Sequence, residues 1–277
     1  MRFHTQDCSA IITGASSGLG AEFARQLAPE ARALVLVARR LDALEAVKAE
    51  LLTLRPALVV HVVAADIATG QGRGVVLQQL AASGIQANLL INNAGIGDYG
   101  TLASATRERL CAQLDVNVSA VVLLTHALLP QLRDRPRKDG AAAAGIVNIS
   151  SLASTLPMPD FAVYAASKAF VTSFSEALAV ELEPEHITVT CVCPGPTPTN
   201  FGSTARRPDG QDTDREGQSL LRIPVTQVVA RALQGLRAGE ACVFPGAGVT
   251  IVGALFRLLP RPLLRWLLRR RFNKRTV

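Results

Sequence analysis

The chain has 277 residues, 49% of them hydrophobic and 18% charged; that is apolar surface enough for one large α/β domain and too little charge for a disordered chain. Its net charge of +7 is uneven. From Leu255 onward Arg257, Arg261, Arg265, Arg269, Arg270, Arg271, Lys274 and Arg275 add +8 with no acid after Glu240, leaving −1 for the rest, which argues against a nucleic-acid-binding domain.

Residues 9–13 read as a short buried strand running into Thr13-Gly-Ala-Ser-Ser-Gly-Leu-Gly20, with a helix predicted over 18–28. Glycines at 14, 18 and 20 let the backbone turn tightly and approach a phosphate, which the helix N-terminus would bind. The spacing alone is weak and suits an ordinary helix cap as well; its place in a βαβ unit favours a dinucleotide. A second buried strand over 33–38 ends Ala38-Arg39-Arg40, and a helix follows over 41–54. An acid at this strand end would bind the 2′-hydroxyl of NAD, whereas an arginine accommodates the 2′-phosphate of NADP. Arg39, and secondarily Arg40, are therefore candidate contacts for NADP, the bland alternative being two solvated arginines at a helix start.

A third strand over 57–64 leads to Asp66, a helix covers 72–82, and a strand over 87–91 runs into Asn92-Asn-Ala-Gly95. The stretch 106–134 reads as one or two helices. Strand 145–150, helix 161–182, strand 187–193, a turn-rich segment over 195–221, helix 225–238 and a last strand over 241–244 complete the alternation. Unalternating apolar strands between helices specify a parallel sheet covered on both faces. The expected fold is a single doubly wound, Rossmann-type α/β domain over 1–246 with a mostly parallel sheet, followed by a basic, apolar extension over 247–277.

Tyr164 and Lys168 are four apart on a predicted helix and so share a face. A phenol near pKa ~10 is a poor base at neutral pH, and a neighbouring ammonium favours its phenolate; such a pair can move a proton. By itself it is more often an ordinary amphipathic face. Ser151 stands at the end of the preceding strand, where its hydroxyl could meet a substrate oxygen. Asn117 lies within the long helical stretch, where it could equally kink the helix or satisfy the core.

In this order, Thr-Gly-x3-Gly-x-Gly, Asp66, Asn92-Asn-Ala-Gly95, Asn117, Ser151, Tyr164-x3-Lys168 and Pro194-Gly195 resemble the classical short-chain dehydrogenase/reductase family over roughly residues 8–246. Ala38 and Arg39 resemble its NADP-preferring subgroup. The resemblance implies an NADP(H)-dependent oxidoreductase interconverting a carbonyl and a secondary alcohol by hydride transfer. Tyr164 would be the general acid/base and Lys168 would lower its pKa and hold the nicotinamide ribose. Ser151, rather than Ser150, would orient the carbonyl, and Asn117 would hold a water in the proton relay. Cofactor contacts are implied for Gly14, Ser16, Ser17, Gly18, Leu19 and Gly20, for Arg39 and Arg40, for Asp66, and for Asn93, Ala94 and Gly95. At the nicotinamide end they are implied for Tyr164, Lys168, Pro194, Gly195 and Thr197 or Thr199. Ser154, where many relatives have glycine, and the prolines of 194–199 depart from the family pattern. A hydrophobic small-molecule carbonyl or alcohol as substrate and a homo-oligomer are expected, with no nucleic acid. The alternative, a non-catalytic NADP(H)-binding sensor or scaffold, would not need the intact Ser151, Tyr164, Lys168 and Asn117 set.

Cys191 and Cys193 alternate on a predicted strand and read as small apolar residues facing one way. The five cysteines show no metal-ligand spacing and His4, His61, His126 and His186 are scattered, so no metal site is expected. No charged-then-apolar leader opens the chain, which points to a cytoplasmic setting with reduced thiols. Residues 195–221 are the expected lid, its charges (Arg206, Arg207, Asp209, Asp212, Asp214, Arg215, Glu216) solvated. In the tail Arg257, Arg261, Arg265 and Arg269 recur every four residues, opposite Leu259, Leu263, Trp266 and Leu267, while Pro260 and Pro262 would break or kink a helix. Packing of that apolar side on the domain or a partner subunit is the first expectation, and peripheral contact with an anionic membrane the second.

Overall fold

The computed structural model describes residues 2–134, 142–205 and 221–273. Strands β1 (Ser9–Thr13), β2 (Ala33–Ala38), β3 (Val59–Ala64), β4 (Leu89–Asn92), β5 (Ala144–Ile149), β6 (Ile187–Val192) and β7 (Cys242–Val243) form one sheet. Its order is β3-β2-β1-β4-β5-β6-β7 and every pairing is parallel. The chain runs outward from β1 to β3 and then returns to place β4 on the other side of β1. That reversal opens a crevice beyond the carboxyl ends of β1 and β4, where ligands of such sheets bind.

Helices cover both faces. On one, Phe23 and Leu27 of α1 (Gly18–Leu27), Leu44 and Leu51 of α2 (Leu41–Leu54) and Val229, Leu233 and Leu236 of α8 (Val225–Ala238) pack on the sheet. On the other, Val76 and Leu80 of α3 (Gly70–Ser83), Leu124, Leu128 and Leu132 of α5 (Ala120–Arg133) and Leu178 of α6 (Ala162–Glu181) do the same. Strands covered on both sides have no solvated face, which is why β1, β2 and β4 are apolar without alternation. β3, at the sheet edge, begins two residues later than the sequence pattern suggests and is only half-buried.

The stretch 106–134 is one continuous run: α4 (Arg107–Leu114) passes into α5 through a single π-turn, Asp115–Ser119. The run is long and apolar enough to cross a membrane by composition, but Leu124, Leu128 and Leu132 bury its inner face in the core. A short α7 (Phe201–Ala205) follows β6. The tail forms α9 (Ala247–Leu258) and α10 (Arg261–Asn273). The break falls at Leu259–Pro260, while Pro262 sits in the first turn of α10, where its missing N–H costs nothing. The charges expected on a lid, Arg206 to Glu216, lie outside the described residues.

Candidate active site

Beyond the strand ends lies a cleft of about 1310 Å³. At one end is the turn between β1 and α1. Gly14 and Gly18 adopt φ of +67° and +56°, and a Cβ on Gly14 would stand 2.9 Å from both the Ala94 Cα and the Asn93 Nδ2. The neighbouring strand end holds the turn in place. Asn93 donates its amide to the Thr13 carbonyl at 2.8 Å, and the Thr13 hydroxyl accepts from the N–H groups of Asn93 and Ala94 at 3.0 Å each. Thr13 was not among the candidate residues; a single threonine at a strand end gives no signal until β1 and β4 are known to be neighbours. Gly14, Ser16, Ser17, Gly18, Leu19, Arg39, Arg40, Asp66 and Asn93 to Gly95 all line this part of the cleft. Gly20 does not line it. A Cβ there would lie 2.3 Å from the Gly14 carbonyl oxygen, so its role is to let α1 close on the turn.

Arg39 and Arg40 are exposed at the cleft edge, and neither forms an ion pair with a described residue. Asp66 accepts from the Ala68 N–H at 3.1 Å, which fixes the loop after β3. The turn, the two guanidiniums and Asp66 fit a dinucleotide: close backbone approach for its phosphates, cation for a further phosphate and an acceptor at the base.

The opposite end gathers the remaining candidates. Tyr164 and Lys168 come from α6, and the Lys168 Nζ lies 5.8 Å from the centre of the Tyr164 ring. Ser151, just past the end of β5, lies beside the phenol, and its Oγ accepts from the Ala153 N–H at 3.1 Å. Ser150 points elsewhere: its hydroxyl is committed to the Lys168 carbonyl at 2.8 Å and pairs with the Thr172 hydroxyl at 2.7 Å. Asn117 sits in the π-turn, fully buried. It donates to the Ile96 carbonyl at 2.9 Å and the Ser167 hydroxyl at 3.0 Å and accepts from the Ile96 N–H at 2.9 Å. It thereby straps α4–α5 to the loop after β4 and to α6. A Cβ on Gly95 would come within 3.2 Å of the Lys168 Nζ and 3.4 Å of the Asn117 Oδ1, so that glycine keeps the space beside both.

The electrostatics differ from the expectation that Lys168 draws the phenol down. Burial pushes the Tyr164 phenol up, against a smaller lowering by the neighbouring Ser151 hydroxyl. The same burial pushes the Lys168 ammonium down to about 8. The Nζ donates to the Ile149 carbonyl at 2.8 Å rather than to the phenol. Desolvation dominates here.

Pro194, Gly195, Thr197 and Thr199 complete the cleft wall. Thr197 donates to the Gly195 carbonyl at 3.1 Å, while Thr199 approaches the phosphate turn, its Cγ2 3.2 Å from where a Gly18 Cβ would be. An aromatic wall went unread in the sequence. Tyr99 stacks on Phe161 (4.1 Å), Phe161 on Tyr164 (4.2 Å), and Phe201 tilts over Tyr164 at 5.3 Å. Rings from three separate segments (Tyr99, Phe161 with Tyr164, and Phe201) show no period that a sequence could carry. Beside this wall, Cys191 and Cys193 do share a face, their sulfurs 3.9 Å apart, and Cys242 joins them at 4.0 Å because β7 pairs with β6. Strand pairing, not spacing, builds this three-thiol group.

A model of the short chain dehydrogenases matches residues 9–210. The chain belongs to that family. Among short-chain dehydrogenases, it is 38% identical over 196 residues to a sulfoacetaldehyde reductase of Chromohalobacter salexigens, covering 70% of this chain and 74% of that one. A Sphingobium yanoikuyae short-chain dehydrogenase solved with NADPH superposes with a TM-score of 0.73 at 28% identity, over 92% of this chain and 97% of that one. A 3-ketoacyl-(acyl-carrier-protein) reductase of Brucella melitensis solved with NADH gives 0.72 at 26% identity, over 88% and 99%. The fold and the family make the chain an oxidoreductase that uses a nicotinamide cofactor on a carbonyl or alcohol.

Proposed function

We propose that this short-chain dehydrogenase is an NADPH-dependent reductase of apolar aldehydes or ketones, with Tyr164 as proton donor. The observation that carries the reading is one cleft with Arg39 and Arg40, which form no ion pair with a described residue, at one end and Tyr164, Ser151 and Lys168 at the other. NADPH, when bound, supplies the hydride. The carbonyl oxygen of the substrate accepts hydrogen bonds from Ser151 and Tyr164, which polarises it and fixes its distance. As charge develops on that oxygen, Tyr164 gives it the phenol proton. A phenol raised by burial is protonated at neutral pH, which suits donation in the reducing direction. The Lys168 ammonium stabilises the phenolate left behind, and Tyr164 is reprotonated from solvent. Leu152, Leu156, Met158, Phe161, Phe201 and Leu221 line the cleft around this end, favouring an apolar substrate. Both comparison reductases bear names of carbonyl substrates, which supports reduction.

The test is NADPH oxidation against medium-chain aldehydes, 3-ketoacyl thioesters, ketosteroids and sugar ketones. Turnover with the apolar carbonyls, slower with NADH and with sugars, is expected. Tight NADPH binding with no oxidation of any carbonyl would favour the sensor reading instead.

A further inference from the structure

The helices α9 and α10 are two-faced. Inward, Val249 and Leu264 are buried, and Val252, Phe256 and Leu268 line the cleft. Val249 seats the tail on the domain by packing with Leu152, Ile223 and Val228. This inner face differs from the expected one: Leu264 and Leu268 turn inward, whereas Leu263, Trp266 and Leu267 turn out. Outward on α9, Ile251, Leu255 and Leu258 follow at intervals of four and three residues, and Leu258 is 82% exposed. Outward on α10, Leu263, Trp266 and Leu267 make a second stripe, with Arg270 lying over the Trp266 ring at 4.8 Å. Six large apolar side chains thus face solvent within seventeen residues, whereas the rest of the described chain exposes eight.

The charge of this segment narrows what can cover such a face. The two helices hold six cations and no acid, and Lys274 and Arg275 follow them in the sequence; Arg265, Arg269 and Arg270 are exposed and form no ion pair with a described residue. A second copy meeting it symmetrically would set arginines against arginines. An anionic lipid surface accepts both features at once: apolar stripes enter the acyl boundary, tryptophan sits at the interface, and each guanidinium near the headgroups adds attraction.

We propose that the outer face of α9 and α10 docks the protein on an anionic membrane surface. Because the inner face of the same helices walls the cleft, docking brings the cleft mouth to the lipid, where an apolar carbonyl dissolves. Only that delivery rests on the reductase reading; the docking does not.

Trp266 is the only tryptophan of the chain, so its emission reports on this face alone. Full-length protein is titrated with vesicles of phosphatidylglycerol and phosphatidylcholine, and with phosphatidylcholine alone. The expected result is a blue shift of the emission, quenching by lipids brominated in their acyl chains, and co-sedimentation that salt reverses. All three should require phosphatidylglycerol. The doubly substituted Leu258→Asp, Leu263→Asp protein, altered only at exposed positions outside the cleft, should bind at least about tenfold more weakly with unchanged melting and NADPH binding. Emission unmoved by anionic vesicles overturns the proposal, as does equal binding to phosphatidylcholine alone. A shift that depends on protein concentration without lipid overturns it in favour of self-association. None of these readouts uses turnover, so a failed carbonyl screen leaves them intact.

Discussion

Lys168 shows how little of a site's electrostatics follows from spacing. A helix with Tyr and Lys four apart is legible in the sequence, and so is the shared face; that the ammonium would bond to the Ile149 carbonyl under nearly full burial is not. Its proton is lost near pH 8 in the folded protein and near 10.5 in the unfolded chain. Between those values the unfolded state binds more protons, so this group's contribution to stability rises with pH; below about 8 the fold carries the full cost of a buried charge. Lys168→Met should therefore raise the melting temperature at neutral pH by a few degrees while removing turnover, because a buried cation is replaced by an apolar chain. Scanning calorimetry showing a lower melting temperature would contradict this. Turnover of the unsubstituted enzyme should decline as pH rises through about 8. Lys168→Arg, which keeps its charge, should move that decline to higher pH even if the rate is lower. A pH profile that does not differ between the two would mean that Lys168 does not set the alkaline limb.

Among the elements, the strands and most helices were legible because local pattern and tertiary role agree. β1, β2 and α2 lie where apolar runs and turn residues put them. The π-turn at Asp115–Ser119 was not legible, since one extra residue in a helical turn leaves the apolar period nearly unchanged. Its purpose shows only in three dimensions, where Asn117 meets Ile96 and Ser167. Asn117→Ala leaves the Ile96 N–H and carbonyl without these partners and should cost about 1–3 kcal/mol, read as a lower urea midpoint; an unchanged midpoint would show the strap to be dispensable. The rotation of α10 was misjudged for a related reason. Arginines every four residues define an arc, but the chain break at Leu259–Pro260 and the seat of Leu264 decide which leucines turn inward. The three-thiol group at Cys191, Cys193 and Cys242 required the β6–β7 pairing.

For the molecule as a whole, the division of charge and the cofactor choice are linked to opposite ends of one cleft. One end carries Arg39 and Arg40 with no pairing acid among the described residues; the other is walled by Val252 and Phe256 of α9 and Leu268 of α10. Arg39→Ala should weaken NADPH binding by about 1–3 kcal/mol and leave NADH nearly unchanged, which calorimetric titration separates; equal affinities in the unsubstituted protein would defeat the preference for NADPH.

The central claim is that Tyr164 protonates a carbonyl held beside bound NADPH. Its most direct measurement is a single-turnover experiment with Tyr164→Phe, using the best substrate of the carbonyl screen and following NADPH binding and alcohol formation in the same samples. The account predicts NADPH bound as tightly as before and alcohol formed at less than about one hundredth of the original rate, the scale lost with a general acid. Alcohol formed at a rate within a few-fold of the original would show that another group supplies the proton.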